Sequence, residues 1–433
     1  MELIIENALR IYLLVCLFLL ILYIPRIAYY FSAFRDQPRL ANPAKNRLAV
    51  LVPAKNESKV IQALLGTLNL QTYDRAFFDV HVIVEDARDP SVAMAKKAID
   101  ATIHVVPDQT RKGEALDGAL KKILKDTPNK YDAFVIIDAD NLAHPDFLLE
   151  MNNALASGRQ IVVGKKRIKN WESANRDDRS LFSNCTALVY AMVDDLGNRH
   201  RTKHNIPVSM CGTGMMVRAD VIKEQNGWPY RTLTEDYEVM MDCFLRGYTS
   251  MYYMHAIVYT EEAVEHRTSF KRRMRWLTGY TQCNKKYRRA VVKKTFGEGK
   301  IVWKNFDFLY SLLPVFIFAG ISLVLGITCL FAAGAYAIFF QPLFWPILRV
   351  AIISFGTVYG ILMIFTILTL VVDRKALKMS FFELVAVIFL NPFILAEFIW
   401  IFIRIFTATN NLEWDNVDRI AYTPKKINSH GSS

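Results

Sequence analysis

An α/β domain with a mostly parallel sheet, joined to an α-helical transmembrane region, is the architecture this sequence predicts. Two observations carry it. From Leu48 to Lys304 short apolar runs alternate with amphipathic stretches, whereas long apolar tracts gather at the two ends, in Tyr12–Tyr30 and Phe306–Phe406. A chain of 433 residues also exceeds what one hydrophobic core usually serves, so regions of different character are expected.

The N-terminal tract, Ala8–Phe31, meets the roughly 20 apolar residues that cross a bilayer as a helix, with Arg10 and Arg26 near its ends. Glu2 and Glu6 precede it and no small-residue cleavage site follows, which favours a retained anchor over a signal peptide. Arg35, Arg39, Lys45 and Arg47 come next, and the positive-inside rule then puts the middle domain in the cytoplasm.

Within that domain the expected order is a strand at Leu48–Val52, a helix at Lys59–Leu70, a strand at Val80–Val84 and a helix at Ser91–Ala101. A strand at Ile103–Val106, a helix at Gly113–Leu124 and a strand at Phe134–Asp138 follow. Strands separated by helices of this length imply parallel pairing with helices on both faces, and ligands then bind beyond the C-terminal ends of the strands.

Beyond Tyr259 the sequence turns basic, and beyond Lys304 it is nearly all apolar, with spans expected at Phe306–Ala333 and Ile347–Val372. Phe381–Phe406 is long enough to cross but contains Glu383, Asn391-Pro392, Glu397 and Arg404, so two readings stay open there: a crossing helix, or a bent or re-entrant element bordering a polar cavity. The resulting divisions are an anchor (1–35), a catalytic domain (47–262), basic amphipathic interface helices (263–304), a transmembrane bundle (305–408) and a tail (409–433).

The formal net charge is +12, but the excess sits beside the apolar tracts. No motif that reads DNA or RNA accompanies it, so membrane lipids rather than nucleic acid are the expected partner of Lys271, Arg272, Arg273, Arg275, Lys285 and Lys286. The six cysteines have no paired spacing, which argues against a disulfide framework and against a zinc site.

Several constellations fall where such a sheet binds ligands. Pro53, Ala54 and Glu57 follow the first strand, and Glu85-Asp86 the second, where a carboxylate can bond a base or ribose. Asp138-Ala139-Asp140 ends an apolar strand and offers the hard oxygen ligands that a divalent cation prefers; an acidic pair in an ordinary turn looks the same. Lys112, at a helix start, and the free amides around it suit an anionic group. The glycines of Gly212-Thr213-Gly214 permit close backbone approach to a substrate. Thr234-Glu235-Asp236 opens a helix and reads equally as an N-cap with first-turn carboxylates or as a site with Asp236 placed as a general base. In Arg272-Arg273-Met274-Arg275-Trp276, Arg275 suits a departing diphosphate and Trp276 the face of a sugar.

In this order, the motifs resemble those of the family 2 glycosyltransferases with integral membrane segments, the group of cellulose, chitin and hyaluronan synthases and of ceramide glucosyltransferase. The resemblance runs from about Leu48 to Trp276 by motif and beyond it by hydropathy only. It implies a GT-A-like domain and an inverting hexosyl transfer from a nucleotide sugar, with UDP as the expected carrier. Asp86 would meet the uridine, Asp138 and Asp140 would hold Mg2+ or Mn2+ with the diphosphate, and Asp236, beside Thr234 and Glu235, would be the base. Arg272, Arg275 and Trp276 would bind near the leaving group and acceptor. Val84-Glu85-Asp86-Ala87 departs from the family's usual D-D-x-S, and Arg272 stands where glutamine is commoner.

The activity expected from this resemblance is elongation of a polysaccharide coupled to its passage across the plasma membrane by a multi-pass protein. Two alternatives are a non-processive enzyme that glycosylates a membrane lipid and an inactive transferase-like scaffold or channel. The acceptor is thus a glycan or a lipid, and no motif specifies an oligomeric state.

Overall fold

The computed structural model of the chain describes residues 34–172, 178–297, 303–312, 344–373 and 377–407, with scattered positions before 33 and at 331. Its strands are β1 (Leu48–Pro53), β2 (Phe78–Val84), β3 (Ala101–Val105), β4 (Ala133–Ile136), β5 (Leu142–Ala143), β6 (Ile161–Ile168), β7 (Met215–Arg218) and β8 (Ser250–Thr260). The helices within and beside the sheet are α1 (Ile61–Asn69), α2 (Pro90–Ala98), α3 (Lys112–Asp126), α4 (Phe147–Leu155), α5 (Leu181–Ala191), α6 (Arg199–Lys203), α7 (Ala219–Glu224) and α8 (Glu235–Arg246). Beyond them lie α9 (His266–Phe296), α10 (Trp303–Leu312), α11 (Phe344–Val372) and α12 (Phe381–Thr407).

One eight-stranded sheet runs in the order β3-β2-β1-β4-β7-β6-β8-β5. The β3-β2-β1-β4 half is parallel, as the strand-helix alternation implies. The other half is mixed: β7 lies antiparallel to both β4 and β6, and β5 antiparallel to β8, while β6 and β8 are parallel. The expectation of a mostly parallel sheet is therefore corrected to a mixed one. Apolar periodicity marks where strands lie and says nothing of their direction, and β7 enters from the tight turn through Gly212 and Gly214.

All six residues of β1 are buried, because both faces of the sheet are covered. Ala49 and Leu51 join a core with Leu116, Leu120 and Trp228, and Leu48, Val50 and Val52 join one with Ile61, Leu64 and Phe147. Two expected boundaries shift. The helix at Ser91–Ala101 stops at Ala98, where Ile99 turns extended (φ −155°, ψ 154°), and the following strand starts at Ala101. The strand expected to reach Asp138 ends at Ile136, which leaves Asp138 beyond it, at the start of the turn.

The basic segment forms one 31-residue helix, α9, instead of several. Phe381–Phe406 lies within one 27-residue helix, α12, with Pro392 inside it. Its Asn391 amide donates 2.8 Å to Thr366 Oγ1 of α11, and this bond meets part of the polar demand that the sequence placed in an apolar tract. Phe381–Ile405 is the one helix among the described residues long and apolar enough to cross a membrane, and Tyr359–Val372 is a shorter apolar stretch. The expected spans at Ala8–Phe31 and Phe306–Ala333 fall for the most part outside the described residues, and the tail 409–433 entirely so.

The apolar helices pack on the α/β domain. Ile168, Trp171 and Leu188 meet Leu370, Leu377 and Val387, and Leu277 of α9 meets Ile401 and Ile405 of α12. Two ion pairs fix the docking. Lys165 Nζ lies 2.7 Å from Asp373 Oδ1, and Arg273, enclosed between the rings of Phe182 and Phe398, lies 2.6 Å from Glu397 Oε2. Charges this deeply buried persist only when paired, so each pair specifies one arrangement of helix against domain. Cys185, Cys243 and Cys283 are buried.

Candidate active site

The turn after β4 carries Asp138. Its backbone amide donates 3.0 Å to Thr213 Oγ1, which also receives the Asn141 amide at 2.5 Å, so the Gly212-Thr213-Gly214 turn positions the D-x-D turn. Both glycines have positive φ, 78° and 63°. A Cβ on Gly212 would stand 3.1 Å from Asp236 Oδ2, and one on Gly214 would stand 2.5 Å from Val258 Cγ1. Glycine is required here by both backbone conformation and space.

Lys112, the first residue of α3, reaches into the same space. Its ammonium lies 2.6 Å from Asp138 Oδ1 and 3.4 Å from Glu235 Oε1, and it donates to the Gly212 carbonyl. Burial alone would lower the Lys112 pKa, but the Asp138, Glu235 and Asp236 carboxylates outweigh it and raise it. Close packing brings α3 here: a Cβ on Gly113 would fall 2.2 Å from the Tyr230 carbonyl.

Thr234 stands at the N-cap of α8 with Glu235 and Asp236 in its first turn, but its side chain makes no capping bond. Its hydroxyl instead faces Cys283 Sγ at 3.8 Å. Asp236 Oδ1 accepts from the Tyr237 amide at 2.7 Å, while Oδ2 looks toward Gly212. Burial raises the Asp236 carboxyl, and Lys112, the Tyr237 amide, Lys166 and Arg275 oppose that shift. Glu235 is pushed up to about 7 by burial against the pull of Lys112, with Asp236 and Asp138 adding to the rise. Carboxylates shifted upward beside cations are typical of sites that move protons.

The residues of the last motif separate. Arg272 donates 2.8 Å to the Glu261 carbonyl and lies 3.6 Å from the Glu262 carboxylate, so it braces the chain after β8. Arg275 is near enough to lower the Asp236 carboxyl. Trp276 meets Tyr190 edge to face at 6.0 Å. Lys166 stands over the face of that tyrosine at 5.4 Å and donates 2.8 Å to the Cys211 carbonyl.

Lys166 and Lys169 escaped the sequence reading. Lys169 Nζ joins the Asp140 carbonyl at 2.9 Å to the Glu261 carboxylate at 2.6 Å, which ties the D-x-D turn to the chain leading into α9. Two lysines almost fully buried in and after a strand are the available signal, because such cations need carboxylates from elsewhere.

At the ends of β1 and β2 lies a cavity of about 620 Å³ lined by Lys55, Asn56, Glu85, Asp86 and Arg88, among others. Pro53 is the last residue of β1, the Ala54 amide donates 2.8 Å to the Ile83 carbonyl, and the Glu57 amide donates 3.0 Å to Ser91 Oγ. This segment builds the wall from backbone. Glu85 pairs with Lys55 at 2.8 Å. The Arg88 guanidinium and amide hold the Asp86 carboxyl down to about 2.

Asp138 and Asp140 offer the oxygen donors that suit a hard divalent cation, and Asp138 already accepts a cation at 2.6 Å. Among the described residues no group of three or more His, Cys, Asp or Glu side chains is placed to hold an ion. The residues therefore fit a cation held by one or two carboxylates and completed by a ligand's phosphates, and they do not fit a closed protein cage.

Residues 133–401, more than half of the chain, match the family described as Glycosyl transferase family group 2. Glucomannan 4-beta-mannosyltransferase 1 of Oryza sativa subsp. japonica is 24% identical over 290-odd positions (293), covering 64% of this chain and 53% of its own. Beta-monoglucosyldiacylglycerol synthase of Trichormus variabilis is 23% identical over 279 residues, covering 62% of this chain and 56% of its own. The chain thus spans little more than half the length of these relatives. The mannosyltransferase of Pyrobaculum calidifontis, solved with GDP-Man and Mn2+, shares the fold at a TM-score of 0.54 and 18% identity, covering 87% of this chain and 97% of that one. By its motif order, its fold and the match over residues 133–401, the chain belongs to glycosyl transferase family group 2.

Proposed function

We propose that the chain is an inverting, membrane-bound hexosyltransferase that moves a sugar from a nucleoside diphosphate to a hydroxyl on a glycan or lipid acceptor. The observation that carries this reading is the convergence of Lys112, Asp138, Glu235 and Asp236 between the Gly212–Gly214 turn and the start of α8. Asp236 takes the proton from the acceptor hydroxyl as that oxygen attacks the anomeric carbon from the face opposite the diphosphate. The bond from that carbon to the diphosphate breaks, and its electron pair leaves with the nucleotide. Lys112 and Arg275 are the cations placed to receive the developing charge. Asp138 and Asp140 are the residues that would hold Mg2+ or Mn2+ with the donor phosphates, and the ion would add to the neutralisation of the leaving group. Glu85 and Asp86 in the cavity beyond β1 and β2 bind the nucleoside, and the Gly212–Gly214 turn and Trp276 face the acceptor.

The proposed product is an extended polysaccharide, made on the cytoplasmic face and passed between membrane helices of the plasma membrane. A glycolipid is the second reading, favoured by the packing of α12 directly on the turn of α9 that follows Trp276. UDP is the proposed carrier. GDP is the alternative, supported by the mannosyltransferase of this fold that holds GDP-Man.

Protein in lipid nanodiscs, given a panel of UDP- and GDP-sugars with Mn2+ and scored for nucleotide release and product mass, tests the reading. One accepted donor and a ladder of masses supports polymer synthesis, and a single lipid-sized product supports the second reading. No release with any donor would overturn both in favour of an inactive scaffold.

A further inference from the structure

Glu238 takes no part in the chemistry above, yet its side chain is completely buried and accepts four hydrogen bonds. One oxygen, Oε2, accepts from the backbone amides of Arg231 and Thr232, each at 2.9 Å. The other, Oε1, accepts from Lys286 Nζ at 2.5 Å and Tyr287 Oη at 3.0 Å, both on α9. Burial pushes the Glu238 carboxyl up, but the bonds from Lys286 and Thr232 outweigh it, and the group stays ionised below the usual glutamate range. A buried carboxylate is costly unless every acceptor position is satisfied, so this arrangement holds in one geometry only.

The loop it grips leads straight into Thr234-Glu235-Asp236. The far side of that loop is pressed on α9 as well. The Leu233 amide donates 3.1 Å to Gln282 Oε1, the Thr232 hydroxyl lies 3.2 Å from Cys283 Sγ, and a Cβ on Gly279 would fall 2.5 Å from Thr234 Oγ1. Gly279 is one turn along α9 from Arg275 and Trp276. Thus the loop before the base and the helix that carries the leaving-group and acceptor residues are joined through Glu238. Lys112 and Asp138 stand on other elements, α3 and the turn after β4.

We infer that Glu238 is a positioning residue: it sets Asp236 in register with Arg275 and Trp276, and so aligns the base with the acceptor hydroxyl, while leaving the donor site untouched. The inference rests on the transferase reading above. It separates catalytic alignment from donor affinity, which a merely structural role would not.

The test uses the full chain in nanodiscs, with Glu238→Gln and, as a second variant should the first fail to fold, Gly279→Ala, which displaces the same loop from its other side. Affinity for UDP and GDP with Mn2+ is measured by calorimetry, mobility of residues 231–237 by amide hydrogen exchange, and turnover by nucleotide release. Glu238→Gln keeps the volume but, whichever oxygen the amide replaces, presents an NH2 to two of the four donors. The expected result is at least a tenfold fall in nucleotide release and at least tenfold faster exchange in 231–237, with nucleotide affinity within twofold of wild type. Lys286→Met moves both in the same direction by less. Unchanged exchange, or nucleotide affinity falling in step with turnover, would overturn the inference. If wild type releases no nucleotide, the transferase reading fails, and exchange with affinity still decides whether Glu238 holds the loop.

Discussion

The Lys112 ammonium stands 2.6 Å from Asp138 Oδ1 and 3.4 Å from Glu235 Oε1, so a single half-buried cation joins the D-x-D turn to the turn that opens α8. Two motifs nearly a hundred residues apart in sequence become one site through it. This is also the cation nearest to where a donor diphosphate would meet Asp138. Lys112→Met is expected to weaken nucleoside diphosphate binding about tenfold or more, the scale of a lost charge-assisted bond. Calorimetry with UDP or GDP and Mn2+ checks it, and unchanged affinity would remove Lys112 from the donor site.

Lys166 makes a prediction about pH. The Asp236 carboxyl is raised by burial above its ordinary value, and Lys112, the Tyr237 amide, Lys166 and Arg275 restrain the rise. The base works ionised, so turnover is expected to climb with pH along an acid limb lying above the ordinary aspartate range. Lys166→Met removes one restraint and is expected to move that limb to higher pH with nucleotide affinity unchanged. A pH–rate profile of the variant against wild type measures it, and an unmoved limb would detach Lys166 from the base.

Much of this site was legible because its ligand-facing residues sit in short runs at strand ends and helix starts: Asp138-Ala139-Asp140, Thr234-Glu235-Asp236, Gly212-Thr213-Gly214. Their proposed roles rest on residue type and on the side of the sheet they occupy. What stayed hidden depends on partners distant in sequence. Lys169 looks like a solvated lysine until Glu261 is brought 2.6 Å away by the pairing of β6 with β8. Arg272 sits in a recognisable motif, but Glu261 and Glu262 engage it. The antiparallel entry of β7 was hidden for a related reason, since the apolar run Met215–Val217 has no direction.

A second pH effect concerns stability and lies at the other end of the sheet. His81 Nδ1 is 2.9 Å from His104 Nε2, and His81 Nε2 is 3.0 Å from Tyr131 Oη. Burial and the neighbouring His104 push His81 from 6.5 down to about 4. The folded chain therefore binds fewer protons than the unfolded chain between those values. The stability tied to a neutral His81 is complete above pH 6.5 and drains away as the pH falls toward 4, by roughly 3 kcal/mol for such a shift. Thermal unfolding followed from pH 7 to 4 should show this loss, and His81→Phe should flatten the slope. An equal slope in the variant would place the acid sensitivity elsewhere.

The central claim is that Asp236 is the base of a nucleotide-sugar transferase, and Asp236→Asn tests it most directly. The substitution keeps the shape of the side chain and the acceptor for the Tyr237 amide but removes the capacity to take a proton. Mn2+-dependent nucleotide release by wild type and variant in nanodiscs, with nucleotide affinity measured on the same samples, is the decisive comparison. The account predicts release falling by about 10²–10⁴-fold, the usual contribution of a general base, with nucleotide affinity retained. Release persisting near the wild-type rate would contradict it.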